Sequence, residues 1–173
     1  MIILKIGGSI LTKKDSAEPE VDYENLNRIA SEIEESLNSD SINRDLSDGL
    51  IIVHGAGSFG HPPASKYKIG EPFNDEEYPF KRLGFAEIQN QVKKLNSIIC
   101  DSLIEHNIPV VSIPPSSFVT TVDKRIYEFR LGIIKKYIII LTKIKNYAVK
   151  YYEWICSIIN DKILEVYICD SLE

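Results

Sequence analysis

Leu50, Ile51, Ile52 and Val53 run straight into His54-Gly55-Ala56-Gly57-Ser58-Phe59-Gly60-His61. An apolar run bounded by glycine predicts a fully buried strand. A loop so poor in side-chain bulk lets peptide N–H groups approach an anion, phosphate above all. The same residues also suit a plain tight turn with no ligand. Gly55, Gly57 and Gly60 spell the G-x-G-x-x-G dinucleotide fingerprint, which needs a helix opening at once and an acidic residue about 20 positions on. Pro62-Pro63 follows instead, and the residue before a proline avoids the helical region. Glu76 and Glu77 stand near the required distance, in a stretch with no strand pattern. A G-x-x-x-x-G-K-[ST] phosphate loop is excluded, because His61 and Pro62 occupy the places of the side chains that grip phosphate and Mg2+ there.

The chain's 173 residues are one domain's worth. With 44% hydrophobic and 26% charged residues the composition is that of a globular protein. With a net charge of −5, nothing suggests a nucleic-acid surface. Apolar runs of a few residues predict no membrane span, and a strand pattern from the start predicts no secretory signal. Cys100, Cys156 and Cys169 lack metal-ligand spacing, and so sparse and odd a set suits a reducing cytoplasm.

Ile2-Ile3-Leu4-Lys5-Ile6 reads as a strand ending in Gly7-Gly8-Ser9. Lys5 has two readings: a stem that packs while the amine reaches solvent, or a cation aimed at phosphate. Lys13 and Lys14 follow in a polar loop, where a solvated pair is the simple reading. Asp22 is an N-cap with Glu24 in the first turn, and Leu26, Ile29, Ala30, Ile33 and Leu37 recur at helical spacing as far as Asn38. After a polar link over 39–49 comes the strand at Leu50. Strand, helix, strand implies a parallel pair with a right-handed crossover, so both glycine turns lie at carboxyl strand ends, where open α/β sheets take their ligands. Residues 62–82, with Pro62, Pro63, Pro72 and Pro79, predict a short helix at most and then irregular chain. A helix over 84–106 presents Phe85, Ile88, Val92, Leu95, Ile98, Ile99 and Leu103 on one face. A third strand over 108–113 and a turn at Pro114-Pro115-Ser116-Ser117-Phe118 follow. The fold class is α/β, a three-layer αβα sandwich around a mainly parallel sheet. His54 ends its strand and bonds backbone; His106, near a helix C-terminus, answers the helix dipole.

Together these pieces resemble the amino acid kinase family, and within it the isopentenyl phosphate kinases. The residues that carry the likeness are Leu4-Lys5-Ile6-Gly7-Gly8-Ser9, Val53-His54-Gly55-Ala56-Gly57-Ser58-Phe59-Gly60-His61, Gly84-Phe85 with Ile88-Gln89, and Pro109 through Ser117-Phe118. The likeness covers residues 1–135 and fades after Lys124. The Lys-x-Gly-Gly-Ser opening is shared across the superfamily; the Gly-x-Gly-Ser-Phe-Gly-His block is narrower. Ala56 stands where relatives often carry glycine.

The resemblance implies phosphoryl transfer from ATP to a monophosphate, giving isopentenyl diphosphate without a covalent enzyme intermediate. It implies that Lys5 bridges the donor phosphates and that Ile6, Gly7, Gly8 and Ser9 hold ATP, with Gly57 also touching it. Lys14 stabilises charge in the transition state. Ala56, Gly60 and His61 hold the acceptor phosphate, and Phe85 and Ile88 line the pocket for the isoprenoid tail. Lys5, Lys14 and His61 are the catalytic set; Mg2+ enters as the ATP complex, and no protein metal site is implied. Isopentenyl phosphate and ATP are the partners, with no nucleic acid and no membrane, and a homodimer is a family expectation. Two alternatives share these residues: a fosfomycin-type small-molecule kinase, and a non-catalytic module that binds phosphate or an isoprenoid monophosphate.

Family members run to about 250 residues, in keeping with single-domain α/β enzymes. Their C-terminal half supplies most of the nucleotide pocket through a Gly-Asp turn, an Asp-rich strand end and a Gly-Gly-x-x-Lys segment, none of which occurs here. All nine glycines lie at or before Gly132 and all eight prolines at or before Pro115. The later residues are rich in Ile, Lys, Tyr and Asn. The expectation is that 1–136 form the acceptor-phosphate half of the domain, and that a frameshift near Tyr137 gives an unrelated tail over 137–173. That tail carries a loose helical stripe at Ile138, Leu141, Ile144, Ala148, Tyr151, Ile155, Ile158 and Ile159. Weak or absent ATP binding follows from it; an intact reading frame on resequencing would refute the frameshift.

Overall fold

The computed structural model describes residues 2–13, 18–39, 50–72, 74–122, 125–132 and 134. Lys14 and the tail over 137–173 lie outside the described residues. Strand β1 (Ile2–Ile6) and strand β2 (Leu50–His54) pair in parallel, with Ile2 opposite Leu50 and Ile6 opposite His54. Between them come a single helical turn, α1 (Gly8–Leu11), and helix α2 (Tyr23–Asn38). Helix α2 starts where its sequence says: the Asp22 carboxylate accepts the Asn25 N–H at 3.0 Å, and Glu24 lies in the first turn. Such a cap is worth about 1 kcal/mol.

Side chains alternate across a strand. Leu4 and Ile6 of β1 and Leu50 and Ile52 of β2 turn to the core. There they meet Leu26, Ala30 and Ile33 of α2 and Leu95, Ile99 and Leu103 of helix α4 (Tyr78–Glu105). Lys5, paired with Val53, is exposed on the opposite face.

Three expectations need correction. A helix does open directly after the glycine loop: α3 (His61–Lys66), with Pro62 and Pro63 in its first turn. Proline is tolerated there because first-turn N–H groups have no helical acceptor and its φ is already helical. For the same reason α4 begins at Tyr78 rather than near 84, with Pro79 in its first turn. The case against a dinucleotide site therefore rests on Glu76 and Glu77, which stand in a turn before α4 and not at a strand end. The segment 108–113 is neither strand nor helix. Ile108 is buried in the core and Val110 packs against it, but Pro109 has no N–H to give a ladder. A hairpin that was not anticipated follows, β3 (Val119–Val122) antiparallel to β4 (Arg125–Phe129), closed at its base by the Arg130 N–H on the Phe118 carbonyl at 2.7 Å.

The link from α3 to α4 is held by two contacts. Tyr67 is buried against Gly84, where a Cβ would overlap its ring; its hydroxyl donates to Glu87 Oε2 at 2.5 Å. Lys81, only 7% exposed, sends its ammonium to the carbonyls of Lys68 (2.8 Å), Glu71 (2.9 Å) and Pro72 (3.5 Å). Those carbonyls close a turn in which Lys68 and Gly70 have positive φ.

Candidate functional site: two interlocked glycine loops

Both loops leave carboxyl ends of adjacent parallel strands. The Gly55 N–H donates to the Ile6 carbonyl at 3.1 Å, carrying the ladder one bond past β2. Beyond it the loops touch backbone to backbone. A Cβ on Gly8 would fall 2.8 Å from Gly57 Cα and 3.0 Å from the Gly55 carbonyl carbon. A Cβ on Gly55 would fall 2.8 Å from the Gly8 nitrogen. A side chain at either position would push the loops apart.

Thr12 joins them from the far side of α1. It is 2% exposed. Its hydroxyl donates to the Gly8 carbonyl at 2.9 Å and accepts the Ser58 N–H at 2.9 Å. The Ser58 hydroxyl in turn accepts the Glu20 N–H at 3.3 Å.

The second loop turns through Ala56, right-handed at φ −76° and ψ −24°, into Gly57 at φ +51°. A right-handed residue followed by a left-handed one points successive N–H groups into a shared concavity, an anion nest. The donors can be counted. Gly55 is used by Ile6 and Ser58 by Thr12; Phe59 gives its N–H to the Ala56 carbonyl (3.1 Å) and Gly60 to the Gly57 carbonyl (3.2 Å). The N–H groups of Ala56 and Gly57 have no acceptor among the described residues. Ala56 and Gly57 thus keep open donors, while the part Gly60 plays is steric: a Cβ there would run into Ala56 Cβ and come 3.9 Å from Val92 Cγ2.

The remaining site residues sort by exposure. His61 is exposed as the first residue of α3, just past the loop. Lys5 is exposed one residue before Ile6, whose side chain is buried in the core and whose carbonyl is taken by the Gly55 N–H. Gly7 and Ser9 flank Gly8, and a Cβ on Gly7 would meet nothing closer than 3.9 Å. Phe85 (57% exposed) and half-buried Ile88 share a helix face with Val92, so an apolar wall rises from Gly60 along α4.

His54 is structural. Its Nδ1–H donates to the Gly55 carbonyl at 3.1 Å and its Nε2 accepts from Asn96 Nδ2 at 2.9 Å. These partners assign one neutral tautomer. Burial lowers its pKa from the ordinary 6.5, and the bond to Gly55 opposes that only in part. Asn96 Oδ1 accepts from the Ser112 hydroxyl. His106 Nδ1 bonds the Ser102 carbonyl at 2.8 Å in the last turn of α4, the role expected of it. Thr12 and Asn96 are the site-supporting residues that sequence reasoning missed: a lone threonine after a glycine turn and an asparagine on a helix face carry no periodic signal. Among the described residues no three His, Cys, Asp or Glu side chains group to hold a metal ion.

A model described as the amino acid kinase family matches residues 1–150. The isopentenyl phosphate kinase of Methanothermobacter thermautotrophicus is 49% identical over 139 residues, 80% of this chain and 49% of that protein. The one from Methanocaldococcus jannaschii is 43% identical over 129 residues, 74% of this chain and 48% of that protein. A solved isopentenyl phosphate kinase structure superposes with a TM-score of 0.73 at 47% identity, over 82% of this chain and 55% of that one. The product complex of the Thermoplasma acidophilum enzyme gives 0.63 at 26%, over 82% and 52%. The chain spans about half the length of the curated relatives it matches. Two glycine loops locked at parallel strand ends, and a family match that takes in both of them, lead to one statement: this chain belongs to the amino acid kinase family.

Proposed function

We propose that residues 1–136 form the acceptor-phosphate half of a kinase that converts isopentenyl phosphate to isopentenyl diphosphate at the expense of ATP. The observation that carries this reading is the nest at Ala56 and Gly57, held against Gly8 at the ends of β1 and β2. The relatives named above are isopentenyl phosphate kinases, and the family match over residues 1–150 takes in both loops.

In this reading an oxygen of the acceptor phosphate attacks the γ-phosphorus of ATP. The bond from that phosphorus to the bridging oxygen breaks, and ADP leaves. Such transfers ask for positioning and charge compensation rather than covalent help. Two unit charges 4 Å apart repel by about 4 kcal/mol at an effective dielectric near 20, and each phosphate carries more than one. Lys5 and Lys14 offset that repulsion, and the open peptide N–H groups of Ala56 and Gly57 help to offset it. Gly7, Gly8 and Ser9 receive ATP phosphates; bare Gly8 lets the first loop pack directly on Gly55 and Gly57 of the second, which brings donor and acceptor phosphates close. Mg2+, arriving with ATP, supplies further charge compensation. Ala56 and His61 hold the acceptor phosphate, with Gly60 giving the loop room. An imidazole donor suits a phosphate acceptor, whereas kinases of carboxylates have no need of one there.

The wall of Val92, Ile88 and Phe85 receives the apolar tail. Roughly five buried carbons at about 0.8 kcal/mol each would add about 4 kcal/mol. Isopentenyl phosphate should therefore bind at least about 100-fold more tightly than inorganic phosphate. Titration of both ligands, followed by NMR, tests this, and equal affinities would defeat the isoprenoid assignment. Formation of diphosphate from isopentenyl phosphate and ATP, read by 31P NMR, tests the transfer itself. Among the described residues no helix is long and apolar enough to cross a membrane; the sparse cysteines support a cytoplasmic site for the reaction.

A further inference from the structure

We propose that Thr12 is a positioning residue whose hydroxyl sets the spacing of the two glycine loops and withdraws one donor of the second loop from ligand binding. The inference rests on the reading above that these loops hold phosphates. A hydroxyl has one proton and two lone pairs. Here the proton goes to the first loop, at Gly8, and a lone pair takes the N–H of the second, at Ser58. One buried oxygen therefore ties both.

Thr12 is itself held in place. Its N–H donates to the Gly8 carbonyl at 3.0 Å, and it forms an antiparallel bridge with Val21. Its side chain also fills the space that a Cβ on Gly57 would need, 2.9 Å from Thr12 Cγ2. The two facts belong together: bare Gly57 admits the Thr12 side chain, and the Thr12 hydroxyl then reaches the next N–H, at Ser58.

The consequence is a nest of defined size. An αR–αL turn offers the N–H of the residue that follows as a further donor, and in this loop that residue is Ser58. With Thr12 bonded to it, an incoming oxygen meets Ala56 and Gly57 alone. The loop is thus fixed before any ligand arrives, with only the Ala56 and Gly57 donors left open, and neither phosphate has to order it. In-line transfer depends on such fixed spacing, since misplacement by about 1 Å can cost about 100-fold.

The test uses wild type, T12V, which keeps the shape but loses the hydroxyl, and T12S, which keeps the hydroxyl. Amide exchange at Ser58 should be slow in wild type and T12S and at least about tenfold faster in T12V. Isopentenyl phosphate should bind at least about tenfold more weakly to T12V and within about threefold of wild type to T12S. Fast Ser58 exchange in wild type refutes the tie outright and requires no variant to fold. Unchanged Ser58 exchange in T12V refutes it as well. Freed Ser58 with undiminished binding refutes the positioning role. A wild-type chain that binds no isopentenyl phosphate, yet shows Thr12-dependent Ser58 exchange, overturns the proposed function and leaves the tie standing.

Discussion

The two ends of α4 share one apolar periodicity and meet different fates. Toward its C-terminus Leu95, Ile99 and Leu103 are buried in the core beneath β1 and β2. Toward its N-terminus Phe85 is 57% exposed and Ile88 half-buried. The second region is nonetheless anchored, by a tyrosine ring on a glycine and by a lysine ammonium among backbone carbonyls. Tyr67, packed against Phe80, and Lys81 anchor this end, so Phe85 stays out of the core, on the wall beside the proposed acceptor loop. Helical spacing identifies a face; it does not say whether protein or ligand will cover it.

The contrast can be broken most forcefully in the core. L95A should lower unfolding stability by about 2–5 kcal/mol, because Leu95 is fully buried and its cavity cannot be filled by solvent; a urea titration measures it. Next come the two anchors. K81M strands carbonyls that the ammonium satisfies, for about 1–3 kcal/mol. G84A forces the Tyr67 ring aside, again for about 1–3 kcal/mol. If both variants melt like wild type, the N-terminal end of α4 is not anchored as described.

A smaller effect belongs to His54, which is tied to the core end through Asn96. Its folded pKa lies below the ordinary 6.5, so the unfolded chain takes up the proton first as pH falls. The stability gained from keeping it neutral is complete above 6.5 and is lost as pH falls through 6.5 toward the depressed folded value. Melting temperature should therefore fall more between about pH 7.5 and about pH 5.5 in wild type than in H54Q. The smallest effect on stability is expected from F85A, within about 0.5 kcal/mol. The same variant should weaken isopentenyl phosphate and leave inorganic phosphate unchanged, which separates a ligand wall from a structural one.

Local rules were legible where the chain obeys them alone. Asp22 to Asn38 could be read because cap and stripe agree, and β1 and β2 because apolar runs end in glycine. Pro62, Pro63 and Pro79 misled because proline breaks a helix interior but suits its first turn, and a sequence does not announce which turn it is in. The β-branched run Val119-Thr120-Thr121-Val122 is a strand signal, too short to stand out without its partner β4. At 108–113 an apolar run was real and its burial partly real, but a ladder needs a neighbour as well as a pattern. Thr12 could not be read at all. Its partners, Gly8 and Ser58, come together only once two loops meet in space.

The register of β1 against β2 has a bearing on folding accuracy. A parallel pair of five-residue strands could slide by one position at little loss of hydrogen bonding. Sliding would turn Ile3 and Lys5 inward and deliver an ammonium into the space held by Leu4, Ile6 and Leu26. The cation proposed to meet ATP is thus also a proofreader of strand alignment. A chain carrying methionine at position 5 would lose that safeguard along with its charge.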